Sequence, residues 1–192
     1  TYVALADWAE VGSAMEVDAA RAELVRRYLA AYGPAGPEDL AAWSGLPLGE
    51  MRRGFETIKD DLLEVEMAGA PTWMLKSRAA WLDDVWGDGV EVRLLPSYDP
   101  YLLGYRGREL AVPERYAKRV HPGGGVLHPT LLVDGTAAAT WRLKRGKGDS
   151  VVTVEPFEPL ADEVTRAIDD EVRDLGRFLN LNRELVLAPL SH

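Results

Sequence analysis

Tyr32-Gly33-Pro34-Ala35-Gly36-Pro37-Glu38-Asp39-Leu40-Ala41-Ala42-Trp43-Ser44-Gly45-Leu46-Pro47-Leu48 carries the punctuation from which the first half of this 192-residue chain is read. Gly33 stops what precedes it. Pro37 sits where a first helical turn tolerates a missing N–H, and Gly45 followed by Leu46 fits a left-handed cap with its hydrophobic contact. A short helix carrying Leu40, Ala41 and Trp43 lies between those signals. Upstream, Asp18 can cap a helix over 19–32 in which Val25, Tyr28, Leu29 and Tyr32 recur at i, i+3, i+4 and i+7, one face built for burial. Downstream, a helix over 48–62 puts Met51, Phe55, Ile58 and Leu62 on one stripe and leaves Glu50, Arg52, Arg53, Glu56, Lys59 and Asp60 outward. Residues 63–67 alternate apolar and acidic, Ala68-Gly69-Ala70-Pro71 is turn material, and 72–75 returns with Trp73 and Leu75, which together predict a hairpin.

Helix, helix, helix, hairpin is the order of a winged helix-turn-helix, here over 18–78, with the third helix in the recognition position and the hairpin as the wing. Residues 1–17 are expected to be a linker or the end of a preceding domain. The opening Thr1-Tyr2-Val3-Ala4-Leu5 suggests a piece of a longer protein. A Trp- and Asp-rich linker is expected over 79–89. Beyond it, 90–95 alternates and ends at Pro96, and 127–133 and 136–144 flank Asp134-Gly135, a strong hairpin signal. Residues 145–150 form a second turn, 151–154 a strand, and 184–187 a closing strand. Between them 162–180 places Val164, Ile168, Val172, Leu175 and Leu179 on one stripe, with acidic residues in its early turns. The predicted class is α+β: a winged helix-turn-helix followed over 90–192 by a small antiparallel β-rich, barrel-like module with a packed amphipathic helix.

The chain has no cysteine, so a disulfide framework, a thiolate nucleophile and a cysteine zinc site are excluded, and no stretch of it resembles a secretory h-region or an 18-residue apolar span. A cytoplasmic, bacterial-type protein with no membrane partner is expected. The net charge of −9 opposes unassisted binding to a polyanion, because Lys and Arg supply most of the affinity for phosphates. The distribution differs from the total. Tyr105 to Gly148 holds nine cations against three anions, a net of +6, which leaves −15 for the remainder.

Several phrases recur together: Tyr32-Gly33-Pro34; Ala42-Trp43-Ser44-Gly45-Leu46; Leu95-Pro96-Ser97-Tyr98-Asp99-Pro100 with Gly104-Tyr105-Arg106 behind it; and Leu132-Val133-Asp134-Gly135 leading to Thr140-Trp141-Arg142. In these phrases and their order the chain resembles, over nearly its whole length, the winged-helix DNA-binding domain family that includes the AlkZ/YcaQ-like DNA glycosylases. The resemblance implies tandem winged helices plus a β-barrel-like module around duplex DNA. It also implies, in the glycosylase members, excision of alkylated bases or unhooking of cross-links by an amino-terminal Gln-x-Gln or Gln-x-Asp motif. No Gln occurs in this chain, so that motif maps to no residue here. The chain is thus expected to be the carboxy-terminal part of such a protein, inactive alone, with the parent's amino-terminal catalytic portion as a partner.

Double-stranded DNA is the expected ligand of the basic stretch. Arg142, Lys144, Arg145 and Lys147 surround a strand end and a Gly-rich turn, where cations can fan toward phosphates or form an ordinary solvated tip. Arg115, Lys118 and Arg119 share one helix face at spacings of three and four and lead into His121-Pro122-Gly123-Gly124-Gly125. Arg52, Arg53 and Lys59 are the groove or phosphate contacts if the third helix meets DNA, and otherwise solvate a packing module. Asp99, the one carboxylate between Glu91 and Glu109, could stabilise an oxocarbenium-like sugar or serve as a turn cap. Neither GxGxxG nor GxxxxGK[ST] is present, and His121 and His128 lack a third metal ligand, so no cofactor and no metal are expected. Ser97 lacks a nucleophile elbow. Two other readings stay open: a protein-interaction or scaffold module, and a ligand-responsive winged-helix transcription regulator.

Overall fold

The structure, a computed structural model, describes residues 2–10, 12, 14–83, 89–146, 149–180 and 182–190. The chain divides into two compact units, Thr1–Asp83 and Asp84–His192.

The first unit contains α1 (Leu5–Trp8), α2 (Val17–Tyr32), α3 (Pro37–Ser44), α4 (Leu48–Thr57), β1 (Leu62–Met67) and β2 (Ala70–Leu75). The stops act as their chemistry dictates. At the start of α3 the Gly36 N–H donates to Asp39 Oδ2 at 2.9 Å, with Pro37 in the first helical position. At its end Gly45 takes φ 71 and its N–H donates to Ala41 O at 3.0 Å. Val25, Tyr28 and Leu29 of α2 are buried with Leu40 of α3 and Met51 and Phe55 of α4. The rings of Tyr28, Tyr32 and Trp43 gather at centroid separations of 5.2 to 5.8 Å.

The third helix stops at Thr57, short of the expected Leu62. Thr57 and Ile58 are β-branched, Thr57 Oγ1 donates back to Arg53 O at 2.9 Å, and Asp60 and Asp61 bring negative charge to the negative end of the dipole. Lys59–Asp61 forms a 3₁₀ turn, and Leu62 opens β1 opposite Leu75. The hairpin turn is Ala68-Gly69, both left-handed at φ 51 and 79, so Ala70 and Pro71 belong to β2 rather than to the turn. The Ala35 N–H donates to Trp73 O at 2.9 Å and the Trp73 N–H to Ala35 O at 3.1 Å, which ties the α2–α3 connection to β2. The Trp73 ring meets Phe55 edge-on at 6.1 Å. A 3₁₀ segment, Lys76–Leu82, follows and occupies the start of the expected linker, whose residues 84–88 lie outside the described residues.

The second unit contains β3 (Val92–Leu95), α5 (Pro100–Leu103), α6 (Ala117–Val120), β4 (Thr130–Val133), β5 (Thr136–Arg145), β6 (Asp149–Pro156), α7 (Asp162–Leu179) and β7 (Asn182–Leu187). The strands lie in the order β3-β4-β5-β6-β7. Asp134 and Gly135 take φ 48 and 77 between β4 and β5, the two left-handed residues that a type I′ turn requires. The sheet is mixed rather than antiparallel. β6 is followed by the 18-residue α7, which carries the chain back across the sheet, so β7 enters parallel to β6. Among the described residues β3 and β7 each pair on one side only, so the strands do not close into the expected barrel.

A bulge sets the two faces. Leu132 pairs with Ala137 and Leu131 with Ala139, which leaves Ala138 as the extra residue. Ala137 and Leu132 therefore join a core with Leu102, Val112, Val120 and Phe157, while Ala139 and Leu131 join Val92, Val152, Val154, Ile168 and Val172 on the face that α7 covers. The predicted α7 stripe is the buried one, with Ile168 and Val172 fully enclosed.

Candidate nucleic-acid interface

Beyond the bulge β5 alternates strictly. Trp141 and Leu143 pack in the α7-side core, so Arg142 and Lys144 project from the other face. Glu155 and Phe157 of the β6 segment share that face. Phe157 there supports a ladder: the Arg119 guanidinium lies 4.5 Å above its ring and donates to Pro156 O at 3.3 Å. Tyr116 stacks on Phe157 at 4.6 Å, and Arg115 lies 4.9 Å over Tyr116 while pairing with Glu158 at 3.0 Å. Exposed Lys118 sits on α6, whose Val120 belongs to the same core. One face of the sheet therefore carries Arg115, Lys118, Arg119, Arg142 and Lys144.

The expected single ridge is divided. Alternation sends Arg145 toward the α7 face, and Lys147 lies outside the described residues. Arg115 and Lys118 do not share one helix either: Glu114–Tyr116 is a 3₁₀ turn and α6 a separate α-helical turn, because Tyr116 turns inward onto Phe157. The cations also differ in charge balance. Arg142 is ion-paired with Glu155 and Arg115 with Glu158. The Tyr116 hydroxyl, hydrogen-bonded to Glu158, and then Arg115 hold that carboxyl below the usual carboxylate range. Lys118, Lys144 and Arg145 make no ion pair among the described residues.

In the first unit all three expected contacts are paired: Arg52 of α4 with Glu38 at 2.7 Å, Arg53 of α4 with Glu50, and Lys59 of the following 3₁₀ turn with Glu56. Glu50 also receives Arg21 of α2. Burial raises the Glu50 pKa, but the hydrogen bonds and charges of Arg21 and then Arg53 together outweigh it, and the carboxyl sits below its usual range. Exposed pairs of this kind are weak, so a phosphate could break them, but the carboxylates would stay beside it. Glu64 and Glu66 add exposed negative charge along the hairpin.

Asp99 is a cap. Its Oδ1 accepts from the Tyr101 N–H at 2.8 Å at the start of α5, as expected of an Asp-Pro turn. Gly123, Gly124 and Gly125 all have positive φ and form a closed turn, with the Val126 N–H donating to Gly123 O at 3.1 Å. His121 contacts Val126 O, and among the described residues no cluster of three metal-binding side chains occurs. Sequence reasoning missed the two carboxylates that set the site's charge. Glu155 was findable: once 136–144 and the next strand are paired, an acidic residue must stand beside Arg142. It missed Tyr101 too, whose hydroxyl donates to Gly135 O at 3.1 Å and buttresses the hairpin turn.

A family model described as DNA glycosylase AlkZ-like matches residues 1–178. The chain is 28% identical over 182 residues to an interstrand DNA cross-link repair glycosylase of Streptomyces sahachiroi, an alignment spanning 93% of this chain and 47% of that protein. The solved structure of Streptomyces sahachiroi DNA glycosylase AlkZ matches with a TM-score of 0.78 at 26% identity, over 96% of this chain and 49% of that one. The chain spans about half the length of these relatives. No helix among the described residues is long and apolar enough to cross a membrane.

Proposed function

Since the chain belongs to the AlkZ-like DNA glycosylase family, we propose that it is the duplex-holding portion of a bacterial cytoplasmic glycosylase that removes alkylated bases or unhooks cross-links. In this reading the first unit is a winged helix and the second a β-rich module that grips the phosphate backbone. The observation that carries it is the shared face of the second unit, where Lys118 and Lys144 stand without carboxylate partners among the described residues, beside Arg115, Arg119 and Arg142 on an otherwise anionic chain. Arg145, turned toward the other face, and Lys147, placed by sequence alone, stay candidate contacts outside this shared face. Such cations release counterions on binding, so affinity for duplex depends on salt and little on sequence. Arg52, Arg53 and Lys59 contribute less, because each binds DNA only with a carboxylate still at its side.

The glycosidic step belongs to residues outside this chain. No Gln is available for the motif, and Asp99 spends its carboxylate on the Tyr101 N–H. The protein as given should bind labelled duplex saturably and release no base from alkylated or cross-linked DNA. Base release well above the buffer rate, or the absence of duplex binding at low salt, would overturn the proposal.

The pairing of Arg52 and Arg53 on α4 and of Lys59 just after it favours a second role for the first unit, as a packing or protein-contact module. Charge reversal at Arg52 and Arg53 that left duplex affinity unchanged would support it.

A further inference from the structure

Among the described residues four that are not glycine take a positive φ, and the backbone accounts for three of them. Ala68 and Asp134 open the two hairpin turns, and Asn180 closes α7. The fourth is Tyr98, at φ 61, in the turn from β3 to α5. A bulky L side chain strains the backbone there, and neither a hairpin nor the end of a helix asks for that conformation at this position. Such a residue persists only where its surroundings fix it.

The surroundings do so from both ends of the turn. Pro96 and Pro100 flank it, Asp99 Oδ1 accepts from the Tyr101 N–H at 2.8 Å, and Asp99 O accepts from the Leu102 N–H at 3.1 Å. Leu102 is buried with Val120 and Phe157, so α5 is anchored on the face of the sheet that carries the cations. At the β3 end, Trp141 Nε1 donates to Leu95 O at 2.8 Å, and the residue after Trp141 on β5 is Arg142. The ring that this frame holds out has no use within the protein. Tyr98 is 54% exposed, and among the described residues its side chain makes no hydrogen bond and no ring contact. Tyr101 differs, because its hydroxyl is committed to Gly135 O.

We propose that Tyr98 stacks on a nucleobase that has lost its pair, an inference that rests on duplex binding through this face of the second unit. Lysine and arginine meet phosphates whatever the base, whereas a ring meets a base only where the flat side of that base is open. Paired bases inside a duplex are covered above and below, so a ring carried on a turn gains contact where a partner is missing or already turned out of the stack. The fixed turn adds to the gain, because little freedom is lost when the base arrives. A base suits the site better than an apolar protein segment does, since the turn joins a cationic face whose side chains can meet the phosphates on either side of that base.

The test titrates the whole chain into two end-labelled duplexes that contain 2-aminopurine, paired with thymine in one and facing an abasic site in the other. Anisotropy reads affinity, and the emission of the aminopurine, which falls on stacking, reads contact with the base. The wild type should prefer the unpaired duplex by about fivefold or more and quench its emission. Tyr98→Phe should keep both effects. Tyr98→Ala and Tyr98→Gly should lose both while binding the paired duplex as the wild type does, and Tyr98→Gly should melt above Tyr98→Ala because glycine takes a positive φ without strain. Phe178→Ala, which removes an exposed ring from the end of α7, should leave the preference unchanged. Binding of neither duplex would remove the DNA reading and this inference together. Salt-dependent binding of both duplexes with equal affinity would overturn this inference alone, as would a preference that survives in Tyr98→Ala or a Tyr98→Gly protein that melts below Tyr98→Ala.

Discussion

Replacing Gly54 tests how closely α2 and α4 approach, and so how α4 is held. A Cβ built at Gly54 falls 2.9 Å from Val25 Cγ2 and 3.2 Å from Arg21 O. Carbon atoms in good contact lie about 3.5–4.0 Å apart, so the methyl of Ala is short by roughly 0.6–1.1 Å against a side chain that is itself fully buried. Overpacking costs about 1–3 kcal/mol, while Ala in place of Gly within a helix returns about 1 kcal/mol. Gly54→Ala should therefore destabilise the first unit by about 0–2 kcal/mol. Gly54→Val adds two more carbons against the Arg21 carbonyl, which cannot rotate away, and should cost about 3 kcal/mol. At about 4–8 °C per kcal/mol for a domain this size, the Val variant lowers the melting point by more than about 10 °C. Differential scanning calorimetry reads the shift. Val25→Ala removes the nearer clash, so its combination with Gly54→Ala should be less damaging than the sum of the two, with a coupling of about 0.5–1 kcal/mol. A Gly54→Val protein that melts within a degree or two of the wild type would refute the close helix contact.

Glu155→Gln releases Arg142 and should tighten duplex binding several-fold at low salt in a mobility-shift titration; unchanged affinity would place Arg142 outside the interface. Asp99→Ala removes the cap from α5 and should cost about 1 kcal/mol in urea unfolding while leaving duplex affinity as it was; a large fall in affinity at unchanged stability would return Asp99 to the site. Glu158 has a depressed pKa in the folded protein, so its contribution is present above the unfolded value near 4.5 and is lost as pH falls through the native value. Melting points of wild type and Glu158→Gln should accordingly differ at pH 6 and converge in strong acid, and a gap that widens on acidification would reverse the sign of the argument.

Local chemistry was legible in the sequence wherever one residue type answers one backbone demand. Pro37 and Gly45 bracket α3, Asp134-Gly135 makes the I′ turn, and the stripe from Val164 to Leu175 is the buried side of α7. Long-range consequences were not legible. The parallel entry of β7 depends on α7 returning the chain to the end of the sheet where β6 begins and on β7 pairing with β6, neither of which alternation in 184–187 reveals. The end of α4 turned on competition between an apolar stripe that continues to Leu62 and three residues, Ile58, Asp60 and Asp61, that favour leaving the helix. For the candidate interface, composition identified the basic stretch, while its charge balance depended on the β5–β6 register that sets Glu155 beside Arg142. The bulge at Ala138, which decides the face each later β5 residue occupies, leaves no mark in a run of three alanines.

The most direct test of the DNA reading is the salt dependence of duplex binding by the whole chain and by Lys118→Glu and Lys144→Glu, measured by anisotropy from low to physiological salt. Each lost phosphate contact should flatten the slope of log affinity against log salt by about 0.9, equally for unrelated duplex sequences. Slopes that stay at the wild-type value in both variants would contradict the assignment of the backbone contact to this face of the second unit.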